Sequence, residues 1–461
     1  MEKKEEKETL NKREKRRREK GSAAFLNGGP ASDTCCSRNG LESDSTLIHW
    51  QRQRQFLSPT PVAMASRLAP SLFLKQLALL AVAAVAALLP VISSSPAVGC
   101  FDSILSFGDS LADTGNMLRL SRSEGHPTHA GFLPYGETYF RRPTGRFSDG
   151  RLVIDFMAQW LGIPFVPPYY GDDGGRSVAD FRKGVNFAVA GATALDESFF
   201  DGRGMGNVFP NVSLGFQLGL FKELLPSLCS TASDCKRFLG NSLVLMGEIG
   251  GNDYNYPFFM GRDLEEIQGI MPLVIEEIVS AIRELIDLGA VTILVPGNFP
   301  IGCLPVYLTE FQNSDKEEYD PSTGCLNWLN EFSQYHNKQL QRKLDHLREL
   351  HPQANIIYID YYNAALRFYQ SPDKFGFDGR ILKACCGGGG TYNYNSSALC
   401  NSNARACNDP SSYASWDGVH FTEAAYRWIF KGLADGSFTV PKLDISCPSL
   451  ALNEPALTSS E

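Results

Sequence analysis

The stretch SILSFGDSLADTGN, residues 103–116, joins an apolar run to a polar, glycine-containing turn. Its first five residues are typical of a short buried strand. Gly108, Asp109 and Ser110 follow at once, so polar and flexible residues begin where the strand ends. In a parallel sheet, residues just beyond the carboxyl ends of the strands form the ligand-binding crevice. The stretch therefore predicts both a strand and a candidate site at its end.

The same pattern returns four times along the chain. Apolar runs of similar length occur at Val185–Val189, Ser242–Met246, Val291–Val295 and Ile356–Ile359. Stretches with helical periodicity separate these runs. The alternation predicts an α/β domain, with a five-stranded parallel sheet covered by helices on both faces. No Pro/Ser-rich linker interrupts it, and we expect a single domain over residues 100–461.

Apolar periodicity and capping residues predict six helices. We place them at Asp149–Leu161, Phe216–Leu225, Leu264–Leu288, Cys325–Leu350, Ala364–Tyr369 and Thr422–Leu433. Ser148 is the expected N-cap of the first helix and Thr422 that of the last, because a hydroxyl there can accept a backbone N–H.

The charge is unevenly distributed. The chain of 461 residues has a formal net charge of −8. Residues 1–20 carry +4, residues 21–63 are balanced and residues 64–99 carry +2, so residues 100–461 carry −14. Such an acidic body argues against nucleic acid or an anionic membrane surface as the main partner. The hydrophobic content of 43% is that of a globular protein.

The N-terminal residues read as a leader. Residues 64–99 combine Arg67 and Lys75 with the apolar run Leu77–Leu89 and small residues after it, which is the layout of a secretory signal peptide. The apolar run is too short for a membrane-spanning helix, and Pro90 closes it. We predict that residues 1–63 are disordered or an extension of the gene model, with translation starting at Met64.

Cysteine usage also indicates export. Ten of the twelve cysteines follow residue 99, and none forms a C-x-x-C pair, so disulfides are favoured over zinc. Cys229 with Cys235 and Cys303 with Cys325 are close enough in sequence for local loops, although connectivity cannot be deduced from spacing. Asn211 and Asn395 begin glycosylation sequons. We expect a secreted glycoprotein.

Two short motifs carry candidate chemistry. Ser110 lies at a strand end, where the alternative interpretation is a helix N-cap. His420 follows Asp417 by three residues, and a general base needs an imidazole whose second nitrogen is oriented by such an acceptor. His126 and His129 form an H-x-x-H without a nearby carboxylate cluster, so we expect neither a metal site nor a cofactor.

Four ordered blocks resemble the GDSL, or SGNH, hydrolase family, in its secreted plant esterase/lipase branch. The blocks are GDSL (108–111), NFAVAG (186–191), GGND (250–253) and DGVH (417–420). The resemblance covers residues 102–435 and implies a flavodoxin-like three-layer sandwich. The chain contains no G-x-S-x-G, so the nucleophile elbow of α/β-hydrolases is absent.

The resemblance implies a role for each matching residue. Ser110 would be the nucleophile, His420 the general base and Asp417 its orienting carboxylate. The oxyanion hole would comprise the backbone N–H groups of Ser110 and Gly191 and the side-chain amide of Asn252. Asp109, Asn116 and Asp253 are expected to brace the loops, and the glycine run 387–390 to form a disulfide-tethered loop over the site.

The predicted function is therefore a secreted carboxylic ester hydrolase that acts on small acyl, lipid or cell-wall esters. A polysaccharide deacetylase of the acetyl-xylan type, or a transacylase, would use the same acyl-serine and stays open. A non-catalytic glycoprotein on this fold is the remote alternative. We expect a monomer without a stable membrane span once the signal peptide has been removed.

Overall fold

The computed structural model describes residues 101–177, 179–206, 210–377 and 380–443. The predicted leader segments 1–63 and 64–99, together with Cys100 and Cys447, lie outside these residues. The strands are β1 (Ser103–Phe107), β2 (Gly184–Asn186), β3 (Ser242–Met246), β4 (Thr292–Pro296), β5 (Asn355–Ile359) and β6 (Thr439–Val440). They form one sheet in the order β2-β1-β3-β4-β5-β6.

The helices in chain order are α1 (Asn116–Ser123), α2 (Val153–Trp160), α3 (Glu197–Asp201), α4 (Leu214–Leu228), α5 (Ala232–Gly240), α6 (Gly251–Phe259), α7 (Leu264–Leu288), α8 (Pro305–Glu310), α9 (Asn327–Leu350), α10 (Tyr361–Gln370) and α11 (Glu423–Ala434). Helices α4, α6 and α9 pack against α7, whereas α2 and α10 pack against α11. These two groups cover the two faces of the sheet, as right-handed crossovers require.

Five of the six strands run parallel, and the strand order β2-β1-β3-β4-β5 is that of a flavodoxin-like sheet. The prediction of a three-layer α/β fold is confirmed. The predicted strand count was one too low, because β6 joins β5 in the antiparallel direction. Strand β6 has only two residues before Pro441, and a strand of that length is too short to show hydrophobic periodicity in the sequence.

Two predicted boundaries were wrong for identifiable reasons. The second strand ends at Asn186 instead of Val189, because the Asn186 side-chain amide donates to Ala112 O (2.6 Å) and turns the chain into a loop. The helix predicted from Asp149 begins at Val153. Its first turn is closed by Asp155, whose carboxylate accepts the N–H of Leu152 (2.9 Å), and Ser148 is not the cap.

Other predicted elements match the structure closely. Helix α7 has the predicted bounds, and Thr422 caps α11 by accepting the N–H of Ala425 (3.2 Å). Strands β1 and β3 are completely buried, and their register pairs Phe107 with Met246. The turns that follow these two strands therefore lie side by side at one edge of the sheet.

Candidate active site

Ser110 lies at the carboxyl end of β1, in a turn that requires glycine before it. Gly108 has φ +138°, and a Cβ there would lie 2.9 Å from the carbonyl oxygen of Glu248. The backbone N–H of Asp109 donates to that same oxygen (3.0 Å) and ties the turn to the end of β3. The turn thus holds Ser110 at the mouth of a cleft, with 9% of its surface exposed.

The structure brings Ser110, His420 and Asp417 together. Ser110 Oγ lies 2.8 Å from His420 Nε2, and His420 Nδ1 lies 2.7 Å from Asp417 Oδ2. The other carboxylate oxygen, Oδ1, accepts the backbone N–H groups of Val419 (2.9 Å) and His420 (2.8 Å). The backbone N–H of Trp416 donates to His420 O (2.7 Å) and closes the loop. Side chain and loop geometry together fix the imidazole between serine and carboxylate.

A tyrosine distant in sequence completes the surroundings of Asp417. The buried hydroxyl of Tyr135 donates to Asp417 Oδ2 (2.8 Å). Burial would raise the pKa of Asp417, but the charge of His420 and hydrogen bonds from His420 and Val419 hold it well below its ordinary value. Burial and the negative charge of Asp417 raise the pKa of Tyr135 well above its ordinary value. Asp417 is therefore an ionised acceptor, and Tyr135 is a neutral donor.

The backbone N–H groups of Ser110 and Gly191 are unpartnered in the part of the chain that the structure describes. Gly191 has φ +85°, a conformation that glycine adopts without strain, and its carbonyl accepts the Tyr256 hydroxyl (2.9 Å). Unpartnered donors of this kind are what an oxyanion hole requires.

Asn252 lines the same cleft, but its amide already has partners. Its Nδ2 donates to Ala192 O (3.0 Å) and to Asp109 Oδ2 (3.2 Å). Its Oδ1 accepts from Asn255 (3.1 Å), which fixes the orientation of the amide with nitrogen toward Asp109. To reach an oxyanion, the amide must release or share one of its two donated hydrogen bonds.

The cleft opens to solvent. Aromatic and aliphatic side chains form much of its wall, including Tyr307, Phe259 and Leu304. Its lining contains the carboxyl groups of Asp109 and Glu248, and neither lysine nor arginine occurs among the described lining residues. A predominantly apolar cleft with a few polar groups is typical of a small-molecule site.

All three residues predicted as braces hydrogen-bond to the surrounding loops, and Asp109 accepts the N–H of Leu111 (3.0 Å). Asn116 donates to the carbonyls of Asn186 and Ala188 (2.8 Å each). Asp253 accepts the N–H groups of Ala194 (2.8 Å) and Leu195 (3.0 Å), and burial raises its pKa to about 7. Asp109 also lines the cleft itself.

The glycine run 387–390 is tethered by disulfides but does not cover the cleft. Its segment carries the bridges Cys385–Cys407 and Cys386–Cys400. The N–H groups of Cys385 and Cys386 donate to the carbonyls of residues 415 and 416 (2.9 and 2.7 Å). The segment thus supports the back of the Asp417–His420 loop, and none of residues 387–390 lines the cleft. The other two bridges, Cys229–Cys235 and Cys303–Cys325, close the local loops that the sequence spacing suggested.

Several further expectations concern the surface and ion binding. The sequon residues Asn211 and Asn395 are both exposed. Among the described residues, no group of three or more His, Cys, Asp or Glu side chains could hold a metal ion. His129 packs against the rings of Tyr135 and Phe147 (5.4 and 5.6 Å between centroids). No described helix is both long and apolar enough to cross a membrane.

A family model described as GDSL-like Lipase/Acylhydrolase matches residues 104–433 of the chain. The chain belongs to this family. It is accordingly a hydrolase that acts on ester bonds, on an SGNH-type fold.

The chain is also similar to individual esterases. A GDSL esterase/lipase of Arabidopsis thaliana is 56% identical over 350 residues, which cover 76% of this chain and 88% of the relative. The sinapine esterase of Brassica napus is 52% identical over 359 residues, covering 77% of this chain and 91% of the relative. A solved acetylxylan esterase mutant from Geobacillus stearothermophilus has a TM-score of 0.30 and 12% identity, covering 73% of this chain and 93% of that one.

Sequence reasoning missed two groups that lie in or beside the site. Tyr135 contacts Asp417 from a loop far away in the chain, and no local signal indicates that contact. Glu248 lines the cleft beside Asp109. Its position between β3 and Asn252 could have suggested it, because residues that follow a buried parallel strand face the crevice.

Proposed function

We propose that the chain hydrolyses carboxylic esters through a covalent acyl-enzyme on Ser110. The observation that carries the proposal is the continuous hydrogen-bond chain from Ser110 Oγ through His420 to Asp417. A serine hydroxyl is a weak nucleophile at its ordinary pKa, and an adjacent oriented base activates it.

Each half-reaction uses His420 twice. Ser110 Oγ attacks the ester carbonyl carbon while His420 Nε2 takes the hydroxyl proton. The bond to the leaving alcohol breaks, and His420 returns the proton to that oxygen. His420 then takes a proton from water, whose oxygen attacks the acyl carbon. The bond to Oγ breaks, the carboxylic acid leaves, and Ser110 regains its proton. Asp417 stabilises the imidazolium in both halves.

The oxyanion of each tetrahedral intermediate would be stabilised by three donors. These are the backbone N–H groups of Ser110 and Gly191 and the Nδ2 of Asn252. The two unpartnered N–H groups support this assignment, because they can donate to an oxyanion without losing another bond. Each such donor contributes about 2.7–4 kcal/mol of transition-state stabilisation.

The charges in the cleft favour one class of substrate. Asp109 and Glu248 are its acidic groups and no described lining residue is a lysine or arginine, so an anionic ester would be repelled. Tyr307 and Phe259 line the cleft, and aromatic rings attract cations. A sinapine esterase is among the relatives. We therefore propose esters with a neutral or cationic alcohol, phenolic choline esters included.

A substrate comparison tests that preference. We expect kcat/KM for a choline ester to exceed that for its neutral dimethylbutyl isostere by about tenfold, or ~1.4 kcal/mol. If kcat/KM for the choline ester is equal to or lower than that for the neutral ester, the proposed preference for a cationic alcohol is wrong. Parallel assays on acetylated xylan, long triglycerides and an added acceptor alcohol distinguish deacetylase, lipase and transacylase activity.

We further propose that the protein is a monomer, secreted and glycosylated at Asn211 and Asn395. The exposure of both asparagines and the four disulfides among the described residues support export. N-terminal sequencing of the mature protein tests the signal peptide. A mature start upstream of about residue 90 would contradict cleavage after residues 64–99.

Labelling with a serine-directed fluorophosphonate tests the nucleophile. We expect stoichiometric labelling of the wild type, none of Ser110→Ala and normal labelling of the control Ser123→Ala, whose serine is exposed on α1. Ester hydrolysis should be normal in the wild type and in Ser123→Ala and lost in Ser110→Ala. If the folded wild type is neither labelled nor active, the alternative of a non-catalytic glycoprotein is favoured instead.

A further inference from the structure

Asn252 is the last member of a chain of three hydrogen-bonded side chains. The hydroxyl of Tyr307 donates to Asn255 Oδ1, and Asn255 Nδ2 donates to Asn252 Oδ1 (3.1 Å). The two asparagines are three residues apart on α6 and therefore share one side of that helix, whereas Tyr307 comes from α8. All three residues line the cleft. The chain thus connects two helices in the wall of the site.

The carbonyl oxygen of Ala192 fixes the direction of every bond in this chain. A carbonyl oxygen can only accept, so the atom of Asn252 that faces it must be Nδ2. Oδ1 of Asn252 then faces Asn255 and accepts from its Nδ2. This leaves Oδ1 of Asn255 facing Tyr307, where the partner has to be a donor. The tyrosine hydroxyl supplies that donor.

The surroundings of Tyr307 hold its hydroxyl in place and keep it neutral. The residue is only 1% exposed, and burial raises its pKa above the ordinary value, so the hydroxyl retains its proton. Its ring packs against Phe258, Phe259 and Phe311, with centroids 6.0, 5.2 and 5.9 Å away. Because the ring is enclosed, little further freedom is lost when the hydroxyl donates to Asn255.

Helix α8 is also attached to the loop that carries the catalytic base. The N–H of Val306, in the first turn of α8, donates to Gly418 O (3.0 Å), which lies between Asp417 and His420 in the chain. The bridge Cys303–Cys325 holds the chain just before the helix. One short helix therefore contacts the loop of the base and, through Tyr307, the side chains that lead to the oxyanion hole.

The bond at Oδ1 matters most during the reaction itself. To reach the oxyanion, Nδ2 of Asn252 must release or share one of the bonds that it donates to Ala192 and Asp109. At that moment the bond from Asn255 still holds the other end of the amide. A reversed amide would present Oδ1, which carries partial negative charge, and would repel the oxyanion.

We infer that Tyr307 is a positioning residue of the acyl-transfer step, which acts through Asn255 to keep Nδ2 of Asn252 directed toward the oxyanion. The inference rests on the proposed function, since it concerns the oxyanion of that reaction. It assigns the hydroxyl of Tyr307 to orientation of the amide, and leaves its ring as part of the cleft wall.

Tyr307→Phe removes the hydroxyl and keeps the ring. We expect kcat to fall about 3- to 10-fold, which corresponds to one neutral hydrogen bond, with little change in KM. In the Asn252→Ala background the same change should alter kcat by less than about twofold, because the amide on which it acts is absent. The matched control is Tyr369→Phe, which should leave kcat unchanged. Its buried hydroxyl has no hydrogen-bond partner among the described residues and does not line the cleft.

Asn255→Asp reverses one bond of the chain without changing the size of the side chain. The carboxylate still accepts from Tyr307 but places an oxygen against Oδ1 of Asn252, so the amide should turn its Nδ2 toward that oxygen and away from the hole. We expect kcat per folded molecule to fall by roughly 10²–10³, to the level of Asn252→Ala. Near-normal kcat in folded Asn255→Asp protein would overturn the inference.

The comparison between the two backgrounds separates orientation from packing. If Tyr307→Phe costs the same factor in the wild type and in Asn252→Ala, the hydroxyl acts by packing or by direct contact with substrate, and the inference is wrong. It is also wrong if Tyr307→Phe leaves kcat unchanged in the wild type. If Ser110→Ala keeps wild-type activity, the proposed function itself fails. An inactive Ser110→Ala with equal losses in both backgrounds overturns the inference alone.

Discussion

Tyr135 and His420 share one oxygen of Asp417. Oδ2 accepts the tyrosine hydroxyl at 2.8 Å and lies 2.7 Å from the imidazole Nδ1. The tyrosine ring also packs edge-on against Trp416, with centroids 5.7 Å apart, so the donor is held by the loop that it supports. The carboxylate is consequently oriented from two sides, by the side chain of Tyr135 and by the backbone of its own loop.

Tyr135→Phe should reduce kcat by less than about tenfold, because the two backbone donors still orient Asp417. Asp417→Asn should reduce it by about 10⁴-fold, as expected when the tautomer of the base is wrong. The phenylalanine variant also leaves a buried acceptor with one donor fewer, which costs about 1–3 kcal/mol of folding free energy. Steady-state kinetics and melting temperatures measure both effects, and equal losses of kcat in the two variants would contradict this division of roles.

Removing the bridge Cys386–Cys400 should lower activity as well as stability. The paired change of both cysteines to serine loosens the segment that supports residues 415 and 416, and small misplacements of catalytic groups can cost up to about 100-fold in rate. The matched control is the paired change of Cys229 and Cys235, which join α4 to α5 and do not line the cleft.

Each double variant should lose about 2–4 kcal/mol of stability. Only the Cys386–Cys400 variant should also lose kcat, measured well below its melting temperature. A similar kcat loss in both variants would mean that the effect comes from general destabilisation.

The features that could be predicted from the sequence are those that depend on residues close together in the chain. Strands such as Ser242–Met246 are continuous apolar runs, and Asp417 reaches His420 within one turn of chain. The resemblance to a known family added Ser110, Gly191 and Asn252 as candidate partners. Ser110 follows the parallel strand β1, whereas His420 reaches it from the loop before α11, so their association depends on the packing of distant segments.

Other features depend on contacts between distant segments. Tyr135 lies 282 residues from Asp417, and nothing near Tyr135 in the sequence distinguishes it from other loop tyrosines. Glu248 resembles a surface glutamate until the register of β1 and β3 buries it against Asp109. Strand β6 exists only because β5 offers an open edge to two residues near the end of the described chain.

Asp253 should make stability fall as the pH rises. Burial raises its pKa to about 7, whereas an unfolded aspartate titrates near ~3.9. Between these values the folded protein retains a proton that the unfolded chain has released, so the free energy of unfolding decreases with increasing pH and levels off above about pH 7. Asp253→Asn should flatten this part of the profile, measured as melting temperature from about pH 4 to pH 8.

The same variant should melt lower at acidic pH, because an amide cannot accept both N–H groups that Asp253 accepts. Asp149, whose pKa burial raises to about 6, contributes a slope of the same sign and remains in both proteins. The control is Asp373→Asn at an exposed position. A profile of Asp253→Asn with the wild-type slope would show that the carboxyl does not titrate in this window.

Asn252→Ala should lower kcat by roughly 10²–10³ with little change in KM, because an oxyanion donor acts mainly on transition-state charge. Ser110→Ala should fall further, to the rate that binding and the remaining donors support. The double variant should be little slower than Ser110→Ala, since both residues serve one acyl-transfer step.

The hydrogen bonds of Asn252 make a competing structural role testable on the same variants. If the amide mainly ties Asp109 to Ala192, its loss should lower the melting temperature and leave kcat per folded molecule nearly intact. Asn255→Ala removes the neighbour that orients the Asn252 amide while leaving Nδ2 in place, so its kcat should lie between the wild type and Asn252→Ala. A folded Asn252→Ala protein with near-normal kcat would exclude the side chain from the oxyanion hole and leave stabilisation of the charge to the backbone N–H groups of Ser110 and Gly191.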